Sequence, residues 1–540
     1  MKIRRIGGLT AAIAVSALAL SACSGSSSAP ETTAAATGPT TGIVTVNGSE
    51  PQNPLIPTNT NETGGGKILD LIFAGLVYYD AKGAPHNEVA DSITTTDSQT
   101  YTIKIKSGWK FTNGEAVTSK SFVDAWNYGA KLSNAQLNSY FFDSIEGFSY
   151  DVDSDLTGLK VVDDSTFTVT LKQPEADFPL RLGYSAFYPL PSVAFKDMKA
   201  FGENPIGDGP YMFKDASAWE HNVKADVVPN PDYIGGRKPM NGGVEVKFYT
   251  SQDAAYQDLL ANNLDVDDAI PDSAFGVYKT DLGDRAINQA AAIFQSFTIP
   301  QNLAHFTGEE GNLRRQAISM AIDRKTITDK IFQGTRTPAK DFTSPVIAGY
   351  NPNLPGSEVL DYNVTKAKEL WAQADAISPW SGAFTIGYNA DGGHQAWVDA
   401  VCNSIKNALG IDAHGNPYPT FKDLRTDITK RTIKGAFRTG WQADYPSLYN
   451  FLGPIYGTGA GSNDGDYSNP KVDQLLKEGE AASSIDAANK KFDQVQEILF
   501  KDLPAIPLWY SNVTGGYATT VTDVQFGWNS VPLYFQIKKA

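Results

Sequence analysis

Cysteine is almost missing from this chain: 540 residues contain two, Cys23 and Cys402. With Cys23 in the leader described below, one thiol is left, so no internal disulfide forms and stability has to come from packing. Histidine is scarce as well. The five, at 86, 221, 305, 394 and 414, have no His-x-x-x-His or similar metal-ligand spacing, and no Gly-x-Ser-x-Gly elbow occurs. Ser107-Gly108-Trp109-Lys110 has the Ser-x-x-Lys spacing of an acylating pair, yet no Lys-Thr-Gly completes it, and a turn is expected there. Gly64-Gly65-Gly66-Lys67 is not a phosphate loop, because Asn61 and Ile68 stand where glycine and Ser/Thr are needed. Positive charge is in deficit, 45 Lys plus Arg against 60 Asp plus Glu, for a net charge of −15. That balance argues against nucleic acid or an anionic membrane surface as the main partner. After the leader, no stretch reaches the roughly 18 apolar residues of a membrane span. Of the enzymatic arrangements weighed, only the carboxylate pair of an extracellular hydrolase is left open by spacing.

What is present begins with a leader. Lys2, Arg4 and Arg5 precede an apolar run from Ile6 to Ala22, the pattern of a secretory signal over residues 1–22. Residues 23–42 are rich in Ser, Thr, Ala and Pro and read as a flexible tether. The remainder is 41% hydrophobic and 11% aromatic by whole-chain composition, enough for packed cores. At about 150 residues per domain the length suggests roughly three or four lobes.

Along the body, Ile43–Val46, Tyr101–Lys106, Thr166–Leu171, Val244–Tyr249, Phe384–Tyr388 and Ala505–Tyr510 alternate or run apolar as strands do. Helices are expected over Ile68–Leu76, after a Thr118 cap with Phe122 and Trp126 on one face, over Gln252–Asn262, after an Asn312 cap, from Asp323 to a Gly334 stop, and after an Asp486 cap. A further helix places Trp397, Val401, Ile405 and Leu409 in i, i+4 order before Gly410. Alternating strands and helices predict an α/β protein with a doubly wound sheet. Ala436–Ala443 reads as a short strand that Pro446 stops, leaving Asp444 at its end. Such a carboxylate beside a free strand edge suits the α-ammonium of an extended peptide; it equally suits the N-cap of the next helix, and the residues alone leave both open.

Gly440-Trp441-Gln442-Ala443-Asp444-Tyr445 resembles the segment of oligopeptide-binding proteins that holds a peptide's amino terminus. Those proteins are the extracytoplasmic receptors of peptide-importing ABC transporters. The resemblance extends to Asn47-Gly48-Ser49-Glu50, Phe73-Ala74-Gly75-Leu76, the block from Phe111 to Thr118, Asn204–Tyr211 and the helical signature Leu313–Arg324. Leu20-Ser21-Ala22-Cys23 resembles a bacterial lipobox. The implied fold is the α/β, two-lobed periplasmic-binding-protein fold of the class with an extra domain, its ligand cleft between the lobes. Its expected segments are 43–58, 186–292 and 508–540 for domain I, 59–185 for the extra domain II and 293–507 for domain III. Crossings near 292 and 507 suit hinge closure.

The resemblance also implies a ligand set. Asp444 meets the α-ammonium, Gly440, Trp441 and Gln442 form the strand beside it, and the backbone around Glu50 and Gln52 pairs opposite. Arg438, Arg425, Tyr418 and His394 belong to the carboxyl end, with Arg438 foremost for the carboxylate. Tyr140 lines the pocket or packs in the core. The function implied is a substrate-binding lipoprotein of an ABC importer. Lipid on Cys23 anchors it to the outer face of the bacterial cell membrane. It works as a monomer, delivers oligopeptides to a permease with ATPase subunits, and needs no cofactor or metal. An oligosaccharide or other non-peptide solute is the alternative ligand, since Trp441 and Tyr418 suit sugar stacking.

Overall fold

Val44 and Val46, the inward residues of the first alternating stretch, are fully buried, and their strand Ile43–Gly48 lies parallel to Gly243–Phe248. The computed structural model describes residues 38–390, 393–419 and 421–540. The expected signal, Cys23 and most of the expected tether lie outside the described residues. The tether's last residues are not loose: the Thr40 amide donates to Met240 O (2.9 Å) and that of Gly42 to Lys539 O (3.0 Å).

The first pair of strands belongs to a twelve-stranded mixed sheet among the described residues. Its main path runs through 413–418, 384–389, 436–442, 286–298, 505–517, 266–267, 43–48, 243–248, 224–229 and 211–213. Parallel pairing appears where helix Gln395–Leu409 carries the chain from 384–389 to 413–418. The centre of the sheet is different. Strands Ala286–Thr298 and Ala505–Tyr517, 13 residues each, run antiparallel from Ala286 opposite Gly516 to Thr298 opposite Ala505. The doubly wound expectation thus holds locally, while two long antiparallel strands cross the middle.

Each end of that crossing pair sits in its own core. Phe294, Phe297, Trp397, Phe451, Leu508 and Trp509 belong to one, and Val44, Phe73, Trp126, Phe187 and Val513 to the other. The register slips twice, between Ala290 and Ile293 at the border of the first core and between Gln295 and Ser296 inside it. The slips lie near residues 292 and 507, and such irregularities locally disrupt a ladder and bend a strand. Within the second core a separate antiparallel sheet, ordered 90–94, 100–105, 166–170 and 159–163, is covered by helix Ser119–Ala130. Thr118 caps that helix in a capping box, and Phe122 and Trp126 both pack on Phe167 with ring centroids 5.8 and 5.7 Å away.

Three helix starts differ from expectation, each for a local reason. The helix expected from Ile68 begins at Thr63, because the Glu62 carboxylate accepts the Gly65 amide (3.0 and 3.1 Å). It stops at Ile72, and Asp208 takes the Ala74 amide (2.9 Å) instead. Thr307, not Asn312, starts helix Gly308–Met320, whose first turn carries Glu309 and Glu310 against the positive end of the dipole. Ser484, not Asp486, caps Ile485–Asp502 by accepting the Ala487 amide (3.2 Å).

The expected extra domain and the expected third domain meet in a buried charge network. The Arg181 guanidinium lies 2.9 Å from Glu175, 3.1 Å from Asp177 and 3.6 Å from Glu480. The Ala176 amide donates to Glu480 O (2.7 Å), and Ser447 Oγ to Asp177 (2.9 Å). One cation therefore faces three carboxylates, all nearly out of water. Desolvation pushes the Glu175 carboxyl up to about 7, against the pull of Arg181, and raises Glu480 as well. A carboxyl raised in the folded state binds its proton there more tightly than in the unfolded chain, so the stability it contributes at low pH is lost as pH rises from about 4.5 through 7. Glu175→Gln keeps the shape and removes the titration. Denaturant unfolding at pH 5 and pH 8 is expected to show the variant gaining on wild type by roughly 1–3 kcal/mol across that interval; a stability difference that stays constant between the two would contradict the surplus of carboxylates.

Candidate functional site

The strand Ala436–Gln442 is held on one side only for most of its length. Phe437–Gln442 pair with Thr298–Ile293 of the first crossing strand. On the other side Ala436 and Phe437 pair with Ile386 and Gly387, and from Arg438 onward that edge has no strand partner among the described residues. Gly440 is required by the packing: a Cβ there would lie 2.8 Å from Phe294 O, a backbone atom that cannot swing aside. Past Gln442 the chain turns, and Ser447 caps helix Leu448–Tyr456 by accepting the Tyr449 amide (3.1 Å). The helix-cap reading of Asp444 is thereby corrected, since the cap is already filled three residues later.

Asp444 is instead fixed by one amide side chain. Asn450 Nδ2 donates to its carboxylate (3.1 Å), while Asn450 Oδ1 accepts both the Asp444 amide (2.9 Å) and the Trp441 indole N–H (3.0 Å). No basic side chain lies within ion-pair distance of Asp444 among the described residues. Removal from water pushes its carboxyl up to about 6, with the Asn450 bond acting the other way. Its charge reaches the hydroxyls of Tyr140 and Tyr184, whose pKa values are raised by burial first and by Asp444 second. Asp444, Ala443 and Gln442 form one wall of a cavity of about 310 Å³. The opposite walls come from distant stretches: Thr60–Asp70, Tyr78–Asp80, Gly183–Tyr188 and Gly527–Phe535 all contribute. Gln442 also reaches one of them, donating to Asn529 O (3.2 Å).

The other residues singled out fall into three places. Arg438 Nε donates to Asn389 Oδ1 (2.8 Å), Tyr418 to Asp427 (3.2 Å), Arg425 pairs with Asp464 (2.6 Å), and the Trp397 indole donates to His394 Nδ1 (3.1 Å). These four stand around the end of strands 384–389, 413–418 and 436–442, away from the cavity wall. Glu50 and Gln52 stand elsewhere. The Glu50 carboxylate is held by His221 Nδ1 (2.7 Å), the Asn222 amide (2.7 Å) and the Trp219 indole (3.5 Å), and the Gln52 amide donates to Glu62 (3.3 Å). Neither lines the cavity. Tyr140 is 41% exposed and stacks on Phe141, with centroids 4.6 Å apart, while Phe141 and Phe142 are core residues. Asn450, Asp70, Tyr184, Trp528 and Tyr534 escaped the sequence reading. Only Asn450, six residues from Asp444, had a nearby position to suggest it.

Among the described residues no group of three or more His, Cys, Asp or Glu side chains is placed to hold a metal ion, and no helix is long and apolar enough to cross a membrane. The chain is 26% identical over 470 residues, 83% of each sequence, to the periplasmic murein peptide-binding protein MppA of Escherichia coli. It is 24% identical over 474 residues to the oligopeptide-binding protein OppA of Bacillus subtilis, covering 84% of this chain and 85% of that one. The fold matches the unliganded open form of MppA with a TM-score of 0.76 at 21% identity, spanning 93% of this chain and 99% of that one. Haemophilus influenzae OppA in complex with RPPGFSPFR gives 0.75 at 21% identity, over 92% and 99%. Residues 84–463 match the model for the middle of the bacterial extracellular solute-binding proteins of family 5, and the chain belongs to that family.

Proposed function

We propose that this protein is the substrate-binding component of an ABC importer, capturing extracellular oligopeptides between its lobes and passing them to a membrane permease driven by ATPase subunits. The observation that carries the reading is Asp444: a half-buried carboxylate with no cation beside it among the described residues, at the end of a strand edge that is open among them. A peptide answers both features at once, since its backbone extends the strand and its α-ammonium neutralises the acid. A neutral sugar leaves that charge uncompensated. The relatives named for murein peptide and oligopeptide binding support the same choice. Arg438, at the other end of the open edge, is our candidate for the peptide carboxylate, with Tyr418, Arg425 and His394 near it. The crossing strands act as the hinge, bending at the slips beside residues 292 and 507. Lipid on Cys23 holds the body at the outer face of the membrane as a monomer, and no chemistry is performed on the peptide.

Three measurements test these statements. In calorimetry with one tripeptide, Asp444→Asn is expected to weaken binding by about 2–5 kcal/mol, or roughly 30-fold to several thousand-fold, because a desolvated ammonium loses its partner. Wild type binding the amino-acetylated tripeptide as tightly as the free one would sink the ammonium site. The pH dependence has a definite sign: below about 6 the free Asp444 carboxyl takes up a proton that the peptide ammonium must displace. Affinity is therefore expected to fall roughly tenfold from pH 7.5 to pH 5 and to stay nearly level in Asp444→Asn; an equal fall in both proteins would assign the titration elsewhere. Finally, Cys23→Ala should abolish incorporation of labelled fatty acid while the secreted body keeps its thermal unfolding profile. Label retained by the variant would move the anchor to another residue.

A further inference from the structure

The cavity beyond Asp444 is short of positive charge. Among the described residues two cations line it, and both are already committed. Arg237 makes a two-pronged contact with Glu88 (Nε 2.7 Å, Nη2 2.9 Å) and gives its other donors to the carbonyls of Asp70 and Phe73. Lys67 is buried and paired with Asp268 at 2.5 Å. Of the lining carboxylates, Glu62 caps a helix and Asp80 is bound by the amides of Lys82 and Ala84 and by His86. Asp70 and Asp444 remain, and neither has a basic side chain within ion-pair distance among the described residues.

Asp70 sits on helix Thr63–Ile72, its carboxylate accepting only the Tyr188 hydroxyl (2.8 Å) from a side chain. Desolvation raises its carboxyl, and the Tyr188 bond and the Arg237 charge only partly offset that. The same cavity holds a second unmet group. Tyr534 is 4% exposed, and its hydroxyl has no hydrogen-bond partner among the described residues. Burial, then the charge of Asp268 and then that of Asp70 act on that hydroxyl, and burial followed by the charges of Asp70 and Asp444 acts on Tyr79, which lies on the wall they share. An unfilled acceptor and a buried orphan hydroxyl are what an ammonium or guanidinium would satisfy together, since each nitrogen brings several donors and no acceptor.

We propose that this cavity receives the first side chain of the bound peptide and that Asp70, assisted by the Tyr534 hydroxyl, selects a cationic one, so that the preferred ligands carry two positive charges at their amino end. The inference rests on the reading of Asp444 as the α-ammonium site, which places residue one at the cavity's mouth. Asp444 answers the backbone charge, and Asp70 answers a lysine, arginine or ornithine side chain. Norleucine has the length of lysine without the charge, and it would leave both Asp70 and Tyr534 as they are in the empty cavity.

The test is calorimetry with Lys-Ala-Ala, norleucyl-Ala-Ala and acetyl-Lys-Ala-Ala on wild type, Asp70→Asn and Tyr534→Phe. Wild type is expected to prefer Lys-Ala-Ala over norleucyl-Ala-Ala by roughly ten- to a hundredfold, the range of a charged hydrogen bond. Asp70→Asn, which can still accept the Tyr188 hydroxyl, should reduce that preference to about threefold or less while norleucyl-Ala-Ala binds as before. Tyr534→Phe should fall between. Equal binding of the lysyl and norleucyl peptides by wild type, with acetylation still costly, overturns the Asp70 selection and leaves the Asp444 reading intact. Acetyl-Lys-Ala-Ala binding as tightly as Lys-Ala-Ala overturns the Asp444 reading and the assignment of this cavity to residue one. If Asp70→Asn does not fold, the wild-type comparison and Tyr534→Phe decide the question.

Discussion

The antiparallel pairing of Ala286–Thr298 with Ala505–Tyr517 is the constraint on which the rest of the molecule depends. Each strand contributes one end to each core, so the two cores cannot separate without bending this pair. The end at Thr298 and Ala505 is clamped hard. Arg315, fully buried, donates to the carbonyls of Ile299 and Leu503, which flank the crossing strands, and to those of Pro300 and Phe306. Arg324 does the same for Pro507, Ser319 and Leu360. These guanidiniums satisfy carbonyls that would otherwise be buried without donors, and a group left in that state costs about 1–3 kcal/mol. With that end held, the slip between Ala290 and Ile293 is a point at which the pair can bend.

Charge is distributed by the same logic. Interior cations go to carbonyls, as at Arg315 and Arg324, to a single carboxylate, as at Arg237, or to a surplus of carboxylates, as at Arg181. What is left on the cavity walls is negative. Asp444 is the clearest instance because the protein supplies it with a single neutral partner, Asn450, which also fixes Trp441 on the open strand. The turn bearing Asp444 touches the other lobe as well: the Arg181 guanidinium lies 5.5 Å from the Tyr445 ring centroid and 5.8 Å from that of Tyr449. The carboxylate proposed to answer the ligand is thus mounted beside a contact between the expected extra and third domains.

Much of the fold was legible in sequence because its signals are local. Alternation located Ile43–Gly48, Thr100–Ile105 and Thr166–Thr170 to within two residues at either end, and Thr118 and Gly410 mark helix ends by side-chain and backbone chemistry that acts within one turn. Errors arose where two capping residues competed, as Ser484 with Asp486, or where a tertiary partner intervened, as Asp208 does at Ala74. The second crossing strand was read only to Tyr510. Its second half, Ser511–Tyr517, holds two glycines and a Ser-Asn pair, and it is strand because neighbours on both sides pair with it. The site divides in the same way. Gly440–Asp444 was visible as a contiguous pattern, whereas Asp70, Tyr184 and Tyr534 are brought to it from stretches far apart in sequence that share no spacing. Arg314, Arg315 and Arg324 carry no local mark of burial in the sequence, and only the packing shows that they are interior.

The account's central claim is that the two lobes close on a peptide's free amino terminus at Asp444. Small-angle scattering of the protein with a saturating tripeptide, set beside its amino-acetylated analogue at equal concentration, tests this most directly. The account predicts a smaller radius of gyration with the free peptide and no change with the acetylated one. Equal compaction by both, or none with a peptide whose binding is established independently, would contradict it.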